Sequence, residues 1–152
     1  GTILNTELLA GYDQWIVGET DSEQVVLFLM DLLDEAEQRI GRPLDFNERF
    51  VTLAQAMDML SEFNKLNLII DDGTYTYVHT NTVQHTLFVR QTPNAAIFCT
   101  RPLGNANEWE PVLHCRLIAY KDGRMVRMAP SHNRSFDDNL YLRILAAEAR
   151  YA

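Results

Sequence analysis

The sequence predicts an α+β fold: two antiparallel helices, then a mostly antiparallel sheet, then a C-terminal helix. Three observations predict it. Apolar residues recur at helical spacing through residues 21–40 and 46–63. From Leu66 the period changes to that of strands, punctuated by the turn signals Asp71-Asp72-Gly73 and Lys121-Asp122-Gly123. The helical period returns after residue 137. Helices first and strands afterwards, without alternation, is an α+β order of elements.

The first helix is expected over residues 21–40. Val25, Val26, Leu29, Leu32, Leu33, Ala36 and Ile40 form its apolar stripe, and Leu27, Phe28 and Met30 make its first half apolar almost all round. Thr20 and Glu23 stand in the S/T-x-x-E relation of a capping box. Asp21 then falls in the first turn, where a negative charge suits the helix dipole. It is the one residue here able both to start a helix and to hold a ligand. Gly41 and Pro43 stop the helix.

Asp45 and Glu48 repeat the capping arrangement for the second helix, whose stripe is Phe50, Leu53, Ala54, Met57 and Leu60. Met57 and Met59 read as core or near-core residues.

Residues 66–70 and 74–79 flank the Asp-Asp-Gly turn as a hairpin. Residues 86–90 form the next strand. Residues 95–100 are apolar without alternation, so both faces of that strand are expected to be covered, in the same sheet as residues 66–70. Leu113, Cys115, Leu117 and Ala119 form one apolar face, and residues 124–128 a last strand. The final helix carries Leu140, Ile144 and Leu145. The layers are then helix, sheet and something further. No repeat, low-complexity linker or second domain interrupts residues 1–152, which read as a single domain.

Composition excludes several classes. The chain has 152 residues, a net charge of -8 and no basic run, which argues against nucleic acid and against anionic membranes. No stretch of 18 apolar residues is present, and the opening residues lack the pattern of a signal peptide. Cys99 and Cys115 sit in apolar runs and read as unbridged, buried thiols of a reducing cytoplasm.

The chemistry legible without a family is thin. There is no GxSxG, P-loop or HExxH. His79, His85, His114 and His132 have no metal-ligand spacing. A nucleophile pair of Cys99 or Cys115 with His114 or His79 can be drawn, but no spacing brings one together.

A resemblance adds more. Gly18-Glu19-Thr20-Asp21-Ser22-Glu23 is similar to the GETDSE/SETDTE segment of class II glutamine amidotransferase domains, of the Ntn-hydrolase superfamily. The order continues. Phe63-Asn64 with the following Leu66 and Asp71-Asp72-Gly73 resembles that family's FN…L…DG hairpin. Thr100-Arg101-Pro102-Leu103 followed by Trp109 resembles its T/S-x-PL…W segment, and Gly123 its final turn. Gly1-Thr2-Ile3-Leu4-Asn5 resembles the residues that follow the His-Asn of its HNG motif. The likeness is greatest to small stand-alone members and covers residues 1 to about 128.

The resemblance implies a partial αββα sandwich lacking the N-terminal nucleophile segment. It implies that Asp21 binds the α-amino group of glutamine and that Gly1, where native, supplies an oxyanion-hole N–H. The N-terminal cysteine, a substrate-carboxylate arginine and the HNG asparagine would precede Gly1. No metal and no cofactor are implied.

Two functions follow. In one, the chain is the α-amino-binding wall of a glutamine amidohydrolase that releases ammonia through a cysteinyl thioester, from glutamine or a γ-glutamyl compound, and is inactive alone. In the other, it is a non-catalytic module acting in assembly or binding. With part of a sheet missing, an apolar face such as part of the Leu113 row would meet water. A homodimer is expected to cover it, or else a folded-back C-terminal helix.

Overall fold

The computed structural model describes residues 2–18 and 20–149. Helix α1 spans Asp21–Ile40 and α2 spans Phe46–Leu60. Seven strands follow: β1 Asn67–Asp71, β2 Thr76–Thr80, β3 Phe88–Gln91, β4 Ala96–Cys99, β5 Glu110–Pro111, β6 Arg116–Lys121 and β7 Arg124–Met128. Helix α3, Asp138–Glu148, comes last.

The strands form two antiparallel sheets. One has the order β1-β2-β6-β7, the other β4-β3-β5. Alternation along β2 and β6 explains the layering. Tyr77, Leu117 and Ala119 face the helices and pack with Phe28, Leu29, Phe50, Leu53, Met57 and Leu60. Val78, Ile118 and Tyr120 face the other way and pack with Leu87, Val112, Val89 and Phe98 of the second sheet and its flanks. The third layer is therefore a sheet, and the order is helix, sheet, sheet. Burial of each large core side chain is worth about 1.5–3 kcal/mol, more than a typical cap, so packing rather than capping holds the helices.

Gly41 ends α1 in the left-handed region, with φ of 79° and its N–H on the Glu37 carbonyl at 2.8 Å. At α2 the capping box forms in full: Asp45 accepts from the Glu48 N–H, and Glu48 accepts from the Asp45 N–H, each at 2.9 Å.

Four expectations change. The Thr20–Glu23 box does not form. Thr20 makes no side-chain cap, and the Glu23 carboxylate accepts instead from the Gly18 N–H at 2.8 Å. Residues 96–99 lie in the second sheet, not beside β1, and Ile97 is half exposed on its outer face. The absence of polar residues there reflects small Ala95 and Ala96 as much as burial. Leu113 lies outside β6 and is exposed, whereas Cys115, Leu117 and Ala119 are buried. Most of the row expected to meet water is thus covered. The second helix stops at Leu60, short of residue 63.

Candidate functional site

Asp21 is the first residue of α1, and its side chain is exposed. Among the described residues it makes no ion pair. Its carboxylate stands at the positive end of the helix dipole, open to a cation from solvent. The preceding segment is anchored on α1. Leu9 is fully buried in the helix-side core. The Tyr12 ring meets Phe28 edge-on at 6.3 Å, and its hydroxyl donates to Asp31 at 2.9 Å. Burial and that bond push the Tyr12 phenol up to about 12. Gln24 donates to Asp13, tying the turn after Tyr12 to the first turn of α1.

Gly1 lies outside the described residues, so its relation to Asp21 is not among the structure's contacts. The residues after it are held closely. Thr2 and Lys65 exchange backbone hydrogen bonds of 2.8 and 2.9 Å. The Asn64 side chain takes the N–H groups of Leu4 and Asn5, both at 2.7 Å. In the sequence Asn64 stands out only as part of a hairpin motif. Its signal was a polar residue directly after the apolar end of α2.

The Asp71-Asp72-Gly73 turn is more than a chain reversal. Asp71 accepts from the Gly73 N–H at 2.8 Å. Asp72 accepts from the N–H groups of Thr74 and Tyr75, from the Tyr77 hydroxyl, and from Arg49 of α2 at 2.6 Å. Burial alone would raise the Asp72 carboxyl. The two N–H donors, the Arg49 guanidinium and the Tyr77 hydroxyl outweigh it and pull it down to about 2. The hairpin is thereby locked to the helix layer.

The scattered histidines are partly gathered. His79 of β2 and His132 lie 3.1 Å apart, Nε2 to Nε2, with stacked rings. The Arg134 N–H donates to His132 Nδ1 at 3.1 Å. This bond places the His132 proton on Nε2, pointing at His79 Nε2, and leaves the His79 proton on Nδ1. That nitrogen is buried without a partner among the described residues. Burial first, and His132 second, push His79 down to about 3. The pair is neutral and sits under α2; sequence spacing of 53 residues gave no hint of it.

Cys99 and Cys115 are free thiols, as expected, but only Cys115 is buried; Cys99 is partly exposed on β4. Burial pushes the Cys115 thiol up, which makes it a poor nucleophile. Neither the pairing of a cysteine with His79 nor a metal-holding group appears among the described residues. No helix there is long and apolar enough to cross a membrane.

Trp109 explains the Thr100-to-Trp109 motif. Its indole N–H donates to the Leu103 carbonyl at 3.0 Å and closes the loop between them. The profile of the class II glutamine amidotransferases matches residues 7–97, more than half of the chain, with Asp21 inside the match. The chain belongs to that family. Among solved structures, a predicted glutamine amidotransferase from Pseudomonas aeruginosa superposes with a TM-score of 0.58 at 19% identity. The superposition covers 73% of this chain and 51% of that one, so the chain spans about half the length of that amidotransferase. A search of curated proteins gave no match.

Proposed function

We propose that residues 1–152 are the C-terminal portion of a glutamine amidotransferase domain, supplying the wall that binds the α-amino group of glutamine. The whole protein would release ammonia from the side-chain amide through a cysteinyl thioester. The observation that carries this reading is the exposed Asp21 carboxylate at the start of α1, without an ion pair among the described residues and inside the family match. An ammonium group docking there gains a charge-assisted bond and displaces no ion pair among those residues.

Neither cysteine of this chain fits the nucleophile. Cys115 is buried with its thiol pushed up, and Cys99 sits on the second sheet, away from α1 in the layering. The nucleophile is therefore proposed to be an N-terminal cysteine encoded upstream of Gly1, with its own α-amino group as base. The N–H of Gly1 is proposed as one oxyanion donor. The reaction then needs no cofactor, and a γ-glutamyl compound carrying the same α-amino group would dock equally well.

The test is Asp21→Asn in the full-length protein. A lost charge-assisted bond is worth about 1.5–3 kcal/mol, so KM for glutamine should rise about 10- to 100-fold. An unchanged KM with a lowered melting temperature would reduce Asp21 to a helix-start charge.

A further inference from the structure

We propose that the open edge of β1 is a strand-docking surface, and that its occupant is the chain segment immediately before Gly1, running antiparallel to β1. This rests on the part of the proposed function that puts a segment upstream of Gly1, and not on its chemistry.

Among the described residues β1 is an edge strand, with β2 on one side and no strand on the other. In an antiparallel strand the main-chain N–H and C=O groups of successive residues point to opposite sides. The residues flanking β1 fix which side is which. The Leu66 carbonyl accepts from the Asn81 N–H at 3.2 Å, and the Asp72 N–H donates to the Tyr75 carbonyl at 3.1 Å. Even-numbered residues therefore face β2, and Lys65, Asn67 and Ile69 face the open side. Lys65 already has a partner there. It exchanges both main-chain bonds with Thr2 in an antiparallel bridge.

That bridge sets a direction and a register. Downstream of Thr2 the chain leaves β1 for the end of α2, where Leu4 and Asn5 donate to the Asn64 side chain. Upstream of Thr2, an extended chain runs along β1. The residue just before Gly1 then falls opposite Asn67, the third before it opposite Ile69 and the fourth opposite Ile70. The corner that holds Thr2 is firm. The buried Asn81 side chain donates to the Asn64 carbonyl at 2.7 Å and accepts from the Leu66 N–H at 2.9 Å.

The edge lacks the features that keep exposed edges unpaired. Asn67-Leu68-Ile69-Ile70 has no charge, no proline and no bulge against β2; the first charge, Asp71, belongs to the turn. The other edge of the same sheet differs. There β7 carries Arg124 and Arg127 and a register irregularity against β6. The side chains of β1 also specify the chemistry of the occupant. Ile69 is 52% exposed on the face toward the second sheet, and Leu68 and Ile70 are only partly buried on the helix side. A short extended run with apolar residues opposite Ile69 and Ile70 covers both faces at once. A helix or a charged tail covers neither and leaves the main-chain groups of Asn67 and Ile69 unpaired.

Two measurements test the proposal. In the 152-residue chain at high dilution, the Asn67 and Ile69 amides should exchange with solvent as an open edge does, while those of Leu68 and Ile70, directed at β2, are protected. In the full-length protein Asn67 and Ile69 should slow by about 100-fold or more, with Leu68 and Ile70 little changed. Cysteines then read the register. With Cys99 and every cysteine upstream of Gly1 replaced by serine, Ile70→Cys should form a disulfide with a cysteine at the fourth residue before Gly1. Facing Cα atoms of such a non-hydrogen-bonded pair lie about 4.5 Å apart, within disulfide reach. A cysteine at the third or fifth residue points to the other face and should not bridge. Equal exchange of Asn67 and Ile69 in the two proteins would overturn the proposal, as would a bridge from the third or fifth residue in place of the fourth. Protection already present in the 152-residue chain and persisting on dilution would overturn it too. None of these readouts needs turnover, so the two readings fail separately. A full-length protein with the added strand but no glutaminase activity keeps the docking surface and loses the amidotransferase reading. Glutaminase activity with Asn67 and Ile69 unprotected does the reverse.

Discussion

At Gly123 the chain leaves no room for a methyl group. The residue has φ of 73°, and a Cβ there would lie 2.5 Å from the Ala95 Cα. The β6–β7 turn of the first sheet touches the β3–β4 turn of the second at this point, and Gln91 adds a 3.4 Å bond to the Gly123 carbonyl. Gly123→Ala meets both a left-handed backbone and rigid main-chain atoms. It should destabilise the fold by about 2–4 kcal/mol, read as a lowered urea midpoint. The sequence marked Gly123 as a turn residue. It could not mark the contact, because Ala95 approaches it through the stacking of two sheets. Asp21 is proposed on the opposite kind of signal: the neighbouring residues of one short motif, with no distant partner involved.

The elements show the same division. Helix α1 and the β1–β2 hairpin follow from periodicity and local turn chemistry, both of which act within a few residues. Residues 96–99 were misassigned because a non-alternating apolar run records small side chains and burial alike. The His79–His132 pair was invisible because it joins β2 to the segment after β7. That pair gives the fold a pH dependence. His79 is held below its unfolded value of 6.5, to about 3, so the unfolded chain binds a proton that the folded chain refuses. Stability is full above 6.5 and falls as the pH drops towards 3. His132 is also lowered, mainly by burial; Asp58 opposes this, and Arg134 and His114 reinforce it. Between pH 6.5 and 4.5 the loss from His79 alone should be about 1.4 kcal/mol per pH unit. The lowered carboxyls of Asp72 and Glu48 add to it only below about 4.5. Urea unfolding across this range should show the slope, and His79→Gln should flatten it. An equal slope in the variant would assign the dependence elsewhere.

At the scale of the whole molecule, the second sheet covers β2 and β6 but not the full width of the first. Ile69, on the same face as Val78, is half exposed at the β1 edge. Leu140, Leu142, Ile144 and Leu145 of α3 also stand open to a similar degree. Helix α3 starts beside the α2–β1 corner, tied there by Lys65 and Asp138. We propose that a second copy covers apolar surface of this kind. Light scattering should then give a mass near twice 17.5 kDa; a monomer would exclude the dimer. The three-layer order was only half legible. Two layers followed from the element sequence, while the third depended on which face of β2 and β6 the later strands chose.

The chain carries two tryptophans, and the fold puts them in opposite surroundings. Trp109 is 9% exposed with its indole N–H bonded, whereas Trp15 is 69% exposed in the turn that leads to Asp21. The protein thus contains an internal optical reference and an optical reporter. Acrylamide should quench the red-shifted emission of Trp15 and largely spare the blue-shifted emission of Trp109. Replacing Trp109 with Phe leaves Trp15 as the one tryptophan of residues 1–152, six residues before the proposed ammonium site. In the full-length protein carrying that change, with any tryptophan upstream of Gly1 also replaced, glutamine should change the quenching of Trp15, giving a binding curve independent of turnover.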